Sequence, residues 1–162
     1  MEDTEGLHPS AARVAMALRE RGIKGPFHQF SASTKTAAEA ATALGCEIGA
    51  IASCLVFVLD GQPIVILKSG AFRVDTAEFA ELVGGTNLRR ASAEEVRAST
   101  GQPIGGVSPV GWPSRLRVFI DVALSDFHEI WSACGTPNAV FATTFDELRE
   151  LTGATPVVLS RP

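Results

Sequence analysis

The sequence predicts an α+β fold, a single domain in which helices pack around one mixed β-sheet. Three observations carry that expectation. Two apolar runs, residues 55–59 and 63–67, are joined through Asp60-Gly61 as a hairpin. Four helix starts share one polar signature: Thr36 with Glu39, Asp75 with Glu78, Ser92 with Glu95, and Thr144 with Glu147. Further strand-like runs lie among these helices without the strict alternation of a βαβ protein.

Taken in order, residues 10–21 read as an amphipathic helix. Ala11, Val14, Ala17 and Leu18 share one face, Arg13, Arg19, Glu20 and Arg21 lie opposite, and Gly22 is the natural stop. Residues 26–30 alternate as a strand does. Thr36 opens an alanine-rich helix ending near Gly45, whose small side chains allow close approach to a sheet. Both hairpin arms are almost continuously apolar, so both of their faces should be covered and the hairpin should be central. Strands are expected over 116–122 and 139–141, with a short terminal one at 157–159.

Composition bounds the function. A chain of 162 residues with 46% hydrophobic residues and a net charge of −4 fits one folded domain with a real core. No apolar run approaches the roughly 20 residues that span a bilayer, so no membrane partner is expected. The acidic start, MEDTEGLHPS, lacks the order of a signal peptide, and a cytoplasmic location is expected. Cys46, Cys54 and Cys134 show no CxxC spacing, which indicates neither a disulfide framework nor a zinc site. The slight acidity argues against non-specific nucleic-acid binding, and DNA is not an expected partner.

The stretch Ile104-Gly105-Gly106-Val107-Ser108-Pro109-Val110-Gly111 has no room for a regular helix. Glycines allow close approach to the main chain, and Pro109 pushes Ser108 towards an extended conformation. Two readings stand: a tight connection between strands, or a set of backbone N–H groups that receives an anion or carbonyl. Two more polar breaks, Ser53-Cys54 and Gly135-Thr136-Pro137-Asn138, favour a small-molecule pocket. A serine triad is not indicated, because His8, His28 and His128 sit in dissimilar contexts and no GxSxG occurs. Phosphate-loop and dinucleotide motifs are absent, and no metal ligands cluster. Cys54 reads as a small core thiol, Lys68 as a solvated strand end with a functional role as the alternative, and Asp121 as either a cap or a pocket residue.

Several blocks together resemble the YbaK/ProX-like family, free-standing relatives of the editing domain of bacterial prolyl-tRNA synthetases. They are Ser33-Thr34-Lys35-Thr36-Ala37-Ala38-Glu39-Ala40-Ala41, Ile51-Ala52-Ser53-Cys54-Leu55-Val56-Phe57, Gly105-Gly106-Val107-Ser108-Pro109-Val110-Gly111, Phe119-Ile120-Asp121 and Gly135-Thr136-Pro137-Asn138-Ala139-Val140-Phe141. Residues 105–109 carry the family's GxxxP pattern. The resemblance covers residues 10–159 and implies one YbaK-like editing domain over 1–162 with a mixed, barrel-like sheet flanked by helices.

The activity it implies is hydrolysis of the ester of a mischarged tRNA in trans, with no metal, cofactor or covalent nucleophile. Gly105, Gly106, Val107 and Ser108 are the implied catalytic loop. Ser53, Cys54, Pro109, Asp121, Gly135, Thr136 and Asn138 are the implied substrate-binding set. The implied partner is the aminoacyl-tRNA 3′ end, with an aminoacyl-tRNA synthetase as a further candidate. Family members commonly carry a lysine where this chain has Ser53, often a histidine at Trp112, and histidine, arginine or aspartate at Asn138. The alternative reading is a non-catalytic module that binds an aminoacyl or nucleotide-like ligand or a synthetase.

Overall fold

A computed structural model of the protein describes residues 6–31 and 36–159; Ser33, Thr34 and Lys35 of the first family block lie outside the described residues. Eight strands form one mixed sheet: β1 (Phe27–Gln29), β2 (Ile51–Leu59), β3 (Gln62–Ser69), β4 (Leu88–Arg90), β5 (Arg117–Asp121), β6 (Ile130–Ala133), β7 (Ala139–Thr143) and β8 (Thr155–Val157). Five α-helices accompany them: α1 (Pro9–Glu20), α2 (Ala37–Leu44), α3 (Thr76–Leu82), α4 (Ala93–Thr100) and α5 (Phe145–Thr152). The sheet runs β1-β7-β6-β2-β3-β5-β8, and β4 pairs with β2 off that path.

The hairpin is central, as its apolar arms require. Asp60 (φ 49°) and Gly61 (φ 83°) turn it with the left-handed backbone that a two-residue hairpin loop needs. One face of β2 and β3 buries Ala52, Cys54, Val56, Val58, Val65 and Leu67 in the main core. The other face buries Phe57, Leu59, Ile64 and Ile66 with Phe79 of α3 and Phe119 of β5, whose rings meet edge-on at 5.2 Å. In α2, Ala40 and Ala41 pack with Phe30, Ile51 and Val140, the close approach that alanines permit.

All four predicted helix starts are capped. Ser92 and Glu95 form a reciprocal capping box, while Thr36, Asp75 and Thr144 each accept from the amide three residues on. Helix α1 begins at Pro9, with the His8 side chain accepting from the Ser10 amide. Its buried face is Ala11, Ala15 and Leu18, so Ala15 takes the place expected for Ala17.

Two strands carry no propensity signal and are set by pairing. β4 is arginine-rich and follows Asp60, whose carboxylate accepts from the Thr86 and Asn87 amides and steers the chain back onto β2. β6 is only four residues long and bridges β2 and β7. The terminal strand lies at Thr155–Val157, two residues earlier than expected, because its parallel pairing with β5 is in register there.

Candidate functional site

β2 has a partner, β3, along one side from Ala52 to Leu59. On its other side β6 pairs only at Ile51 and Ala52, and β4 only from Phe57 to Leu59. The interruption opens a cleft of about 500 Å³. Its walls come from β2 (Ser53, Cys54, Leu55), from α2 (Thr36, Ala37, Ala40), from the glycine stretch (Ile104, Gly105, Val107), and from Trp131, Pro137 and Arg90. Among the lining side chains, Arg90 carries the one full charge, and its guanidinium lies 5.5 Å over the Phe57 ring.

The glycine stretch alternates in its use of donors. The Gly106 amide donates to the Pro103 carbonyl (2.9 Å), and the Ser108 amide donates to Gln102 Oε1 (2.8 Å). Among the described residues, the amides of Gly105 and Val107, the two loop glycine-stretch residues beside Ile104 on the wall, take no protein acceptor. Gly105 has φ +85°, and nothing lies within 4 Å of the place a side chain would occupy. Gly106 is tight for a different reason: a Cβ there would stand 2.5 Å from the Thr136 carbonyl carbon. It lets this stretch lie against the 135–138 loop.

Several expected site residues therefore do not reach the cleft wall. Ser108 is fully buried, and its hydroxyl lies within hydrogen-bond distance of Gln102 Oε1 (2.8 Å) and the Val110 carbonyl (3.0 Å), sharing its one proton between them, so it braces the loop from behind. Pro109 faces the opposite side, beside Trp112 and Arg115. Trp112 sits behind the loop too, its indole donating to the Ser108 carbonyl (2.9 Å). Asp121 is buried at the end of β5, where it accepts from the amides of Ser69 (3.1 Å) and Ala123 (3.0 Å). There it caps the following turn and ties β5 to β3, and it does not line the cleft. Burial pushes its carboxyl above the usual range, against those two amides.

The 135–138 loop is likewise structural in most of its members. Gly135 (φ +86°) backs onto Val14 of α1, where a Cβ would come within 2.6 Å. Thr136 Oγ1 accepts from the Asn138 amide (3.3 Å), and the Asn138 carbonyl accepts from the Phe30 amide (2.7 Å). Pro137, between them, is the member that lines the cleft.

Of the expected residues, Ser53, Cys54, Gly105 and Val107 share the cleft. Burial pushes the Cys54 thiol up to about 12, so at neutral pH it is a protonated, weakly nucleophilic group. Lys68 stands directly across the sheet from Ser53, with its ammonium donating to the carbonyls of Ser69 (2.9 Å) and Phe72 (2.7 Å). Partial burial lowers its pKa. Gln102, Arg90 and Trp131 were not anticipated. The signal for Gln102 was present: a long amide next to Pro103 at the mouth of a glycine stretch is an obvious candidate to satisfy loop backbone.

Fold, cleft and loop define one class of protein. The family described as the aminoacyl-tRNA editing domain matches residues 31–151. The chain belongs to that family. It is 34% identical over 123 residues to the uncharacterized protein YwhH of Bacillus subtilis, covering 75% of this chain and 78% of that one. It is 35% identical over 89 residues to the proline–tRNA ligase of Nitratidesulfovibrio vulgaris, and this match spans 55% of the chain but only 16% of the ligase. A solved structure described as a candidate trans-editing enzyme for prolyl-tRNA synthetase superposes with a TM-score of 0.88 at 45% identity, covering 97% of this chain and all of that one. Among the described residues no helix is long and apolar enough to cross a membrane, and no group of three or more metal-ligating side chains occurs.

Proposed function

We propose that the protein is a trans-acting hydrolase of mischarged aminoacyl-tRNA, made of one editing domain over 1–162 and acting on the ester at the tRNA 3′ end. The single observation that carries this reading is the pair of unengaged amides, Gly105 and Val107, on the wall of a cleft with no ionised nucleophile. Two preorganised N–H donors suit the negative charge that develops on an ester carbonyl oxygen under attack by water. Water adds its oxygen to the acyl carbon, the acyl–oxygen bond breaks, and the proton ends on the departing ribose oxygen. The products are a free amino acid and a tRNA with its terminal hydroxyl restored.

The other residues have supporting roles in this reading. The Pro103 carbonyl takes the Gly106 amide and Gln102 Oε1 takes the Ser108 amide, which leaves the amides of Gly105 and Val107 to a ligand in this reading. Ser53 and Arg90 stand on the wall where the terminal nucleotide of the tRNA would lie, and Arg90 supplies the positive charge that Ser53 does not. The apolar remainder of the wall, with Ile51, Val96, Ile104 and Val140, suits an uncharged amino-acid side chain. An aminoacyl-tRNA synthetase is a further partner in this reading. Release of labelled amino acid from a panel of mischarged tRNAs tests the reading.

A further inference from the structure

The break in the sheet at the floor of the cleft leaves particular backbone groups unpaired. In an extended strand, the N–H and C=O of one residue point to the same side, and consecutive residues alternate. The Ile51 carbonyl accepts from the Gly70 amide (2.8 Å), so Ile51, Ser53 and Leu55 turn their backbone groups towards β3. The Val56 carbonyl accepts from the Ala91 amide (3.1 Å), so Ala52, Cys54 and Val56 turn theirs the other way. Cys54 falls in the gap, after the last residue paired with β6 and before the first paired with β4.

The facing strand has a matching vacancy. The Cys134 amide donates to the Ala139 carbonyl (2.8 Å), which commits Cys134 to β7 and turns the Ala133 carbonyl towards β2. The parallel register ends at Ala52 opposite Ser132, one rung short of joining the Cys54 amide to the Ala133 carbonyl, so the Cys54 amide and carbonyl and the Ala133 carbonyl all face the opening. Both residues line the cleft.

We propose that this unmade rung is the receptor for the α-ammonium of the aminoacyl group, with the Cys54 and Ala133 carbonyls as its acceptors. The inference rests on the aminoacyl-ester reading above. An aminoacyl ester carries a cation beside the scissile carbonyl, and a buried cation needs acceptors. No carboxylate is among the described lining residues, the charged lining side chain is the cation Arg90, and the Cys54 thiol is protonated. The acceptors that line the cleft are the Ser53 and Thr36 hydroxyls and the backbone carbonyls at the open sheet edge, and only the carbonyls lack a proton of their own. They line the same cleft as Gly105 and Val107, so that one substrate is held at its cation by β2 and β6 and at its carbonyl by the loop.

The test compares two non-hydrolysable analogues on a short CCA-ended RNA, one with a 3′-alanylamino group and one with a 3′-propionylamino group. They differ only in the amine. Binding to the full-length protein is followed by backbone NMR, reading the carbonyl ¹³C of Cys54 and Ala133. The amine-bearing analogue should bind about tenfold tighter at neutral pH, the value of one charge-assisted hydrogen bond. That advantage should shrink as the pH passes the amine's pKa, about 8. Only this analogue should shift the two carbonyls. Equal affinities, or tighter binding with both carbonyls unmoved while other cleft signals shift, would overturn the receptor and leave the hydrolase reading intact. No binding of either analogue would overturn both.

Discussion

The side-chain amide of Gln102 and the hydroxyl of Ser108 meet at 2.8 Å inside the protein, behind the loop whose Gly105 and Val107 line the cleft. Gln102 Oε1 also accepts from the Ser108 amide (2.8 Å), and its Nε2 donates to the Val110 carbonyl (2.8 Å). One glutamine thus satisfies both ends of the loop. Replacement Gln102→Ala strands the buried Ser108 amide and leaves the Ser108 hydroxyl and the Val110 carbonyl only each other. The expected loss is about 3 kcal/mol, which for a domain of this size lowers Tm by about 10 °C. Thermal melting checks this, and an unchanged Tm would remove the bracing role.

Ser108→Ala separates the brace from the chemistry. It removes the hydroxyl's one shared hydrogen bond but leaves the amide in place. The expected outcome is a loss of about 1–2 kcal/mol in stability with hydrolysis retained within a few-fold. A drop of several orders of magnitude in single-turnover rate, with Tm nearly unchanged, would make the hydroxyl a reacting group.

The two adjacent glycines should fail in different ways. Gly106→Ala drives a methyl against the Thr136 carbonyl carbon, 2.5 Å away, and should destabilise the protein by separating two loops. Gly105→Ala has room, but at φ +85° it costs about 1–2 kcal/mol and puts a methyl on the cleft wall. It should keep most of the stability and lose hydrolysis. Melting curves paired with rates for both variants check the contrast; identical behaviour of the two would contradict it.

Ser53→Lys tests the charge on the cleft wall. The new lysine would stand directly opposite Lys68, a like-charge pair costing roughly 0.2–1 kcal/mol. It should also strengthen binding of the tRNA 3′ end with a steeper salt dependence and raise hydrolysis several-fold. Titration of tRNA at two salt concentrations, with Tm measured alongside, reads both effects.

A surface pair gives a pH signature independent of the cleft. Arg89 meets Glu95 through two bonds of 2.8 Å and holds its carboxyl at about 2, against an ordinary value of 4.5. A carboxyl depressed on folding adds stability above its unfolded value and gives it up as pH falls through the folded one. The Tm difference between the natural protein and Glu95→Gln should therefore be full at pH 7 and largely gone near pH 2.

Much of the fold was legible because its signals are local. Capping at Thr36, Asp75, Ser92 and Thr144 depends on residues three apart, and the hairpin at Asp60-Gly61 on a two-residue turn. β4 and β6 were not legible, because Leu88–Arg90 and Ile130–Ala133 become strands only by pairing with β2 and β7. The site divided along the same line. The sequence marked the glycine stretch, Ser53 and Cys54, but which amides of the loop are engaged depends on the Pro103 carbonyl and the Gln102 side chain. Asp121 and Asn138 lie off the cleft wall, Asp121 with its carboxylate on two backbone amides and Asn138 held through its backbone, placements that no local pattern distinguishes from a pocket wall.

Single-turnover hydrolysis of a panel of mischarged tRNAs by the natural protein and by Gly105→Ala bears most directly on the central claim. The cleft account predicts that the natural protein releases the amino acid from at least one member carrying an uncharged side chain, and that Gly105→Ala, still folded, does not. Tight binding of the same tRNAs with no hydrolysis by the natural protein would contradict it and make the domain a binding module.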